Sequence, residues 1–421
     1  MFRPARFKFL QGSPLHSVPA ASERRHAPAL HPAVLATVLV AGHAIKHMYN
    51  SGFFLLLPEI QAHFQLSNAG IGGLSTARSI AGSLSNLPAG FVADRHSRHW
   101  ALILGMSMIV IGIFQFVMGS INVYAGVVVS AVIVSAAISF WHPPAIAALS
   151  QRFADRKGFA LSLHGSGGSV GEALGPVIVG ALLATMAWSL VLQVSMIPAL
   201  ATGIIVWALM RTTEGRTGPA SSFGAYLRSL TEFIKPGPLM MIFLATGGFS
   251  MAQAAVNTFL PIYLRNELNY APYEAAGYLF LGQVAGIASS PLLGHASDRF
   301  GRRVTLVPCL GMLGASIFAV SQVPPGIFLV LAVICMGAFM FPLMALFLAN
   351  AMDIVGEHVQ ATTVALVYGI GTLFGSTSPL IAGALADSYG VTAAFHWGAA
   401  VAALSAILFM ASMRKTRKQP K

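Results

Sequence analysis

Twelve separate stretches of this chain are apolar and long enough to cross a lipid bilayer, and no other feature narrows the choice of fold so far. They fall at 33–57, 68–92, 100–118, 122–149, 159–184, 188–210, 238–263, 274–294, 304–322, 326–350, 360–386 and 392–412. At about 1.5 Å per helical residue, each can span about 30 Å of hydrocarbon with modest tilt. In lipid the backbone must satisfy its own hydrogen bonds, so continuous runs of this length are helices. A membrane β-barrel would instead need alternating strands of about ten residues. Composition closes the remaining routes: 56% of the 421 residues are apolar and only 9% are charged. That is too little charge to cover a soluble globule and too much apolar surface for disorder. The expected fold class is an all-α membrane protein with 12 transmembrane helices.

The net charge of +12 would suggest a nucleic-acid partner in a soluble protein. Its distribution points elsewhere. Of the 25 Lys and Arg residues, only Lys46, Arg78 and Arg265 lie outside the two tails and the even-numbered loops. This bias predicts both termini in the cytoplasm of a multi-pass protein in the plasma (inner) membrane, its basic loops against anionic headgroups. No nucleic-acid partner is expected, and a monomer suffices for the architecture. Residues 1–32 hold several Arg and aromatic side chains and no acid before Glu23. They read as a cytoplasmic tail, an overlong start or an organelle transit peptide. Residues 211–237, with Gly215, Gly218, Pro219 and Pro236, form the longest polar stretch between spans. They divide the chain into six-helix units at 33–210 and 238–412, followed by a basic tail at 413–421. Cys309 and Cys335 lie in apolar runs without metal-ligand spacing and read as packing residues.

The two units repeat one another. Leu57-Pro58 aligns with Leu260-Pro261, the stretch Gly90 to Arg95 with Gly294 to Arg299, and Gly175-Pro176 through Leu182 with Ser378-Pro379 through Leu385, at offsets of 203 or 204 residues. Ordered anchors at a nearly constant offset imply two pseudo-symmetric six-helix bundles. Gly90, Asp94, Arg95 and Arg98 between spans two and three, with their fuller counterpart Gly294, Asp298, Arg299, Gly301, Arg302 and Arg303 between spans eight and nine, resemble the signature of the major facilitator superfamily of transporters. Ser97 and His99 depart from that pattern in the first copy. The resemblance covers roughly residues 33 to 412 and implies alternating access around a central site. It also implies that the two loops act as conformational latches, an Asp accepting from a neighbouring helix N-terminus while arginines orient it.

A narrower resemblance lies further on. Phe140-Trp141-His142-Pro143-Pro144, then Leu161-Ser162-Leu163-His164-Gly165 and Gly167-Gly168, is similar to the fosmidomycin-resistance branch of the superfamily. That branch implies proton-driven export of small drugs, anionic phosphonates included. The family's antiporter motif is imperfect in span five, where Ser162 and Val179 replace glycines.

Charge inside hydrocarbon is expensive, so intramembrane ionisable residues are the candidate site. Span one holds His43, Lys46 and His47, span two Arg78, span four His142, and span five His164 and Glu172. Counting along each helix puts Lys46, His47 and Glu172 about 20 Å deep and Arg78 about 15 Å from the other face. His43 and His47 share a helix face. His142 and His164 lie at similar depth on antiparallel neighbours and could pair. The second half offers neutral hydrogen-bonding groups, chiefly Gln253, Asn257 and Gln283. The residues therefore suggest a charged, proton-handling half and a neutral wall for substrate. Lys46 and Arg78 would attract an anionic or polar group, and Glu172 would alternate between protonated and ionised forms. The competing reading is a permanent salt bridge from Glu172 to Lys46 or Arg78 that only holds the half-bundle together. His47 and His142 are candidate proton relays or packing histidines. A metal at His43 and His47 lacks an acidic or thiol companion, so no metal and no other cofactor is expected.

Gly167, Gly171 and Gly175, one per turn and followed by Pro176, suggest close helix packing. Pro143 and Pro144 deprive Ser139 and Phe140 of helical hydrogen-bond donors. Broken backbone at membrane depth is tolerated beside protein or a water-filled cavity, so His142 is expected to border the transport pathway, the alternative being a purely structural kink. Nothing resembles a phosphate loop, and no nucleophile–base pair suggests an enzyme. The expected function is a proton-coupled secondary transporter exporting a small organic molecule. The alternatives are a proton-symport importer of an organic anion and a transporter-like ligand sensor without turnover.

Overall fold

The computed structural model describes residues 30–213, 224, 238–355 and 360–416. The tail before residue 30, nearly all of the 211–237 linker and the end of the basic tail lie outside the described residues. The rest is helical: α1 Pro32–Phe64, α2 Asn68–Arg95, α3 Trp100–Ser120, α4 Tyr124–Ser139, α5 His142–Arg152, α6 Lys157–Leu183, α7 Trp188–Val194, α8 Met196–Met210, α9 Pro238–Ile262, α10 Pro272–Phe300, α11 Arg302–Val320, α12 Ile327–Val355, α13 Gln360–Tyr389 and α14 Thr392–Thr416. α4 continues into α5 and α7 into α8, so fourteen helices make twelve crossings.

Ten crossings are long and apolar enough to span a membrane by composition alone. The other two are α1 and α2. Their length is ample, at 33 and 28 residues, but α1 carries His43, Lys46 and His47, and α2 carries Arg78. The helices diluted by polar groups are those that bring charge to the centre of the bundle.

Local chemistry sets the ends. Ser67 caps α2 by accepting from the Gly70 amide at 3.1 Å. Gly301 separates α10 from α11 at φ +99°, a backbone shape that glycine adopts without strain. The paired prolines do not kink one continuous helix. α4 stops at Ser139, and Pro143 and Pro144 occupy the first turn of α5, where a missing amide hydrogen costs nothing. Trp141 sits in the break, fully buried, against Gly42 of α1. A Cβ on Gly42 would lie 2.3 Å from the indole, so this glycine is what lets the break dock on α1.

In the first half α1 packs along α6, α3 along α8 and α2 along α4; in the second, α9 packs on α13 and α14, and α10 on α12. The halves meet along α2–α13 and α6–α10. Near the bundle end remote from the chain termini this seam is tight. A Cβ on Gly72 would fall 2.2 Å from the Pro379 carbonyl oxygen, and one on Gly383 would fall 2.3 Å from that of Asn68. One on Gly180 would lie 3.0 Å from that of Pro272. Asp387, in the last turn of α13, reaches across to the start of α2 and accepts from the Asn68 amide at 2.7 Å and the Ala69 amide at 2.9 Å. A carboxylate of one half therefore caps a helix of the other. Arg265, in a π-helical turn at Tyr263–Glu267, pairs with Glu59 at 2.6 Å, and Asn266 donates to Gln61 at 3.1 Å. At the end that holds the termini, a Cβ on Gly90, Gly158, Gly165 or Gly294 would meet only open space.

Candidate functional site

The site is assembled by the contact between α1 and α6, where backbone touches backbone. A Cβ on Gly171 would lie 2.0 Å from the Ala44 carbonyl oxygen, one on Gly175 would lie 2.6 Å from that of Met48, and one on Gly167 would lie 2.8 Å from that of Val40. Glycines one turn apart therefore let the helices close to a distance that any side chain would prevent. Pro176 follows inside α6. This contact brings His43 and His47 of α1 against His164 and Glu172 of α6.

The polar groups then form two connected sets. In the first, His43 Nδ1 lies 2.7 Å from the His164 carbonyl oxygen, and His43 Nε2 lies 3.0 Å from His47 Nε2. His47 Nδ1 lies 2.8 Å from Glu172 Oε1. Gln283 of α10, in the other half, donates to Glu172 Oε2 at 3.2 Å. In the second set, Lys46 Nζ lies 2.8 Å from His142 Nε2. The His43 ring stacks on His164 at 3.7 Å and meets His142 edge-on at 4.9 Å, which ties the sets together. Lys46 is buried, whereas Glu172 is half-buried. The carboxylate stands at the mouth of the cluster and the ammonium at its bottom.

Several expectations need correction. Glu172 pairs with His47 and not with Lys46 or Arg78. Residues 46 and 47 point about 100° apart on a helix, and it is 47 that faces α6 while 46 faces the start of α5. His142 and His164 are neighbours, with ring centroids 6.3 Å apart, but they share no hydrogen bond. Both ring nitrogens of His164 are buried without a protein partner. Arg78 stands apart from the cluster. Its Nη2 donates to the Asn50 carbonyl at 3.2 Å and to Asn50 Oδ1 at 2.7 Å, and its guanidinium lies over Phe53 at 4.6 Å and Phe54 at 5.3 Å. It makes no ion pair among the described residues.

Of the second-half candidates, Gln283 reaches the cluster. Gln253 and Asn257 are half-buried on α9 and make no hydrogen bond to it. The loop residues are also unequal. Arg302 bridges Asp298, one turn before it, and Asp353 at the end of α12 at 3.0 Å. Asp94, Arg95 and Arg98 are exposed, and Arg299 lies over Phe300. Arg303 is half-buried on α11. Nitrogens of His43, His142 and His164 lie within 4.8 Å of one another, yet the three rings do not form a metal centre as they stand. The rings of His43 and His164 are within 9° of parallel. Their in-plane lone pairs therefore cannot converge on one ion at about 2 Å, and Lys46 covers Nε2 of His142.

Three contributors were missed in the sequence, two of them without a signal that could have marked them. Asn50 is one polar residue among many. Asp387 has Ala184 as its counterpart at the repeat offset, so comparing the halves passes over it. Glu59 could have been found, because Arg265 is the lone cation on a face otherwise free of them and calls for a partner.

Comparison with known proteins agrees with this architecture. The profile of the Major Facilitator Superfamily matches residues 39–379 and 283–421. The fosmidomycin resistance protein of Escherichia coli (strain K12) is 23% identical over 271 residues, covering 63% of this chain and 65% of its own length. The chain thus matches a little under two thirds of that relative. The 3-(3-hydroxy-phenyl)propionate transporter of the same organism is 27% identical over 359 residues, 81% of this chain and 85% of its own. Among solved structures, a bacterial homolog of the human lysosomal transporter Spinster, described as inward-facing and occupied, superposes with a TM-score of 0.76 at 16% identity, over 92% of this chain and 99% of that one. Two repeated six-helix bundles meeting at a polar centre, and a profile match along nearly the whole chain, make this protein a multi-pass membrane member of the Major Facilitator Superfamily.

Proposed function

We propose that the protein is a proton-coupled secondary transporter of small organic anions, working by alternating access and exporting its cargo. The observation that carries this reading is the position of Glu172. It stands at the seam of the two halves, held by His47 on one side and by Gln283 of the opposite half on the other. A carboxylate bridging the surfaces that must part is placed to link its own protonation to their separation. Arg78 supplies the second element. Arg78 is 4% exposed in this conformation, and its guanidinium, with no carboxylate partner among the described residues, becomes a seat for an anion once the bundle opens around it. Phe54, half-buried beside it, suits an aromatic or otherwise apolar body, while Phe53 backs the guanidinium from the core. Lys46, bound to His142 beneath the cluster, contributes positive potential and not a direct contact.

The positive-inside bias puts both termini in the cytoplasm of a plasma-membrane protein. The end that holds the termini is then the cytoplasmic one, and the seam closed by Asp387, Glu59 and Arg265 is external. The loops around Asp94 and Asp298 act as latches when the cytoplasmic end closes. A second reading, proton symport of an organic anion into the cell, is favoured by the separation of Arg78 from Glu172. An anion at one and a proton at the other do not compete for a single site.

The test is reconstitution in proteoliposomes containing a pH-sensitive dye, with an imposed pH gradient and a panel of aromatic carboxylates, phosphonates and hydrophobic cations. Anion flux accompanied by proton movement, lost in Glu172→Gln with folded protein still in the membrane, is the expected result. Undiminished pH-driven transport in that variant would overturn the role of Glu172. Binding without any flux would replace the transporter with a ligand sensor.

A further inference from the structure

The chain of hydrogen bonds ending at Glu172 has a direction, and one atom sets it. The His164 carbonyl oxygen can only accept, so the proton in its 2.7 Å contact sits on His43 Nδ1. With Nδ1 protonated, a neutral His43 offers Nε2 as an acceptor. His47 Nε2, 3.0 Å away, must then be the donor. That leaves His47 Nδ1 with a lone pair unless the ring is cationic, and this atom faces Glu172 Oε1 at 2.8 Å. Two acceptors at that distance repel. The contact is bonding when one proton lies between them, either on the carboxyl or as an imidazolium–carboxylate pair.

We propose that His43 is a positioning residue that fixes the tautomer of His47, so that the His47–Glu172 pair holds one proton in the conformation seen here. This rests on the reading of Glu172 as the proton site. The chain of imidazoles is an orienting device and not a wire, because its far end is a carbonyl that cannot pass a proton on. When the proton leaves for water in the cavity, a carboxylate is left facing a ring lone pair, and His47 cannot relieve this by changing tautomer without breaking its bond to His43. The surrounding groups are Lys46 on α1, His142 on α5, His164 on α6 and Tyr368 on α13, with neutral Gln283 on α10. His164 and His142 touch the His43 ring, so His43→Leu removes those contacts as well, and the His43→Gln control is read beside it.

Replacing His43 with leucine removes the acceptor. His47 can then carry its proton on Nδ1 and donate to the ionised carboxylate, which favours the state that has lost the shared proton. The pair should release that proton at a pH lower by about one unit, the size of one hydrogen bond. His43→Gln is the conservative control. Its amide can donate to the His164 carbonyl while its oxygen accepts from His47, so the midpoint should stay at the wild-type value.

The readout needs no cargo. Full-length protein labelled with 15N-histidine, in lipid nanodiscs, is titrated by NMR, and the His47 signals are assigned by their loss in His47→Gln. We expect His43 protonated on Nδ1 and bare on Nε2, His47 protonated on Nε2 throughout, and a lowered midpoint in His43→Leu alone. A packing role for His43 would move no midpoint. His43 protonated on Nε2, or a His43→Leu midpoint equal to wild type, overturns the proposal. If His43→Leu does not fold, the wild-type tautomers decide. If Glu172→Gln leaves the His47 titration unchanged, the proton-site reading itself fails. If Glu172→Gln changes it and His43→Leu does not, only the tautomer assignment fails.

Discussion

Asp387 offers the most direct control over which end of the bundle is open. Its two carboxylate oxygens accept from the first two amides of α2, at 2.7 and 2.9 Å, across a seam that must separate when the remote end opens. Hydrogen bonds to a charged group contribute about 1.5–3 kcal/mol each when shielded, and a negative charge at a helix N-terminus adds about 0.3–1 kcal/mol. Asp387 is exposed, so the low end applies. Asp387→Asn keeps one acceptor oxygen but turns an NH₂ group towards the second amide and removes the charge. The combined loss is about 1.5 kcal/mol, or roughly tenfold in the ratio of closed to open. A cysteine at Thr76, buried in the seam beside Leu380, reports this in a chain with Cys309→Ala and Cys335→Ala. Its labelling rate by a maleimide that cannot cross the membrane, added from the remote side, should rise about tenfold with Asp387→Asn. A change smaller than about twofold would show that the contact does not hold the seam.

Two other outcomes follow from the packing. Gly171→Val places atoms where the Ala44 carbonyl already lies, so α1 and α6 must part; thermal unfolding in detergent should show a loss of about 1–3 kcal/mol, together with loss of transport. Glu59→Gln breaks a partly exposed pair with Arg265, and the same maleimide assay should show a rise of only about two- to fivefold, shrinking further as salt is added.

Much of this was legible before any coordinates. The twelve crossings and the repeat follow from run length, spacing and rise per residue. What the sequence could not supply is rotation. His47 and Lys46 are adjacent, and whether one or the other meets Glu172 depends on how α1 turns against α6, which the glycine contacts at 167, 171 and 175 settle in three dimensions. The break between α4 and α5 was visible as Pro143-Pro144, but its consequence, His142 brought onto Lys46, depends on Trp141 lodging against Gly42. Asp387 was invisible for another reason: an acid in the last turn of a helix is ordinary until the partner 319 residues away is known.

The backbone contacts of α1 with α6 at Gly167, Gly171 and Gly175 also bear on motion. Helices that touch backbone to backbone at three successive turns have little room to shear, so they travel as a single beam. Any rocking of one bundle against the other carries His43, His47 and Glu172 along as passengers, their spacing intact. What would change is the company that Glu172 keeps: the Gln283 amide would depart with its own bundle, leaving its place to water or cargo. On the proposed mechanism the carboxylate would be re-solvated once per stroke without a rotamer change, a switch with no moving part of its own.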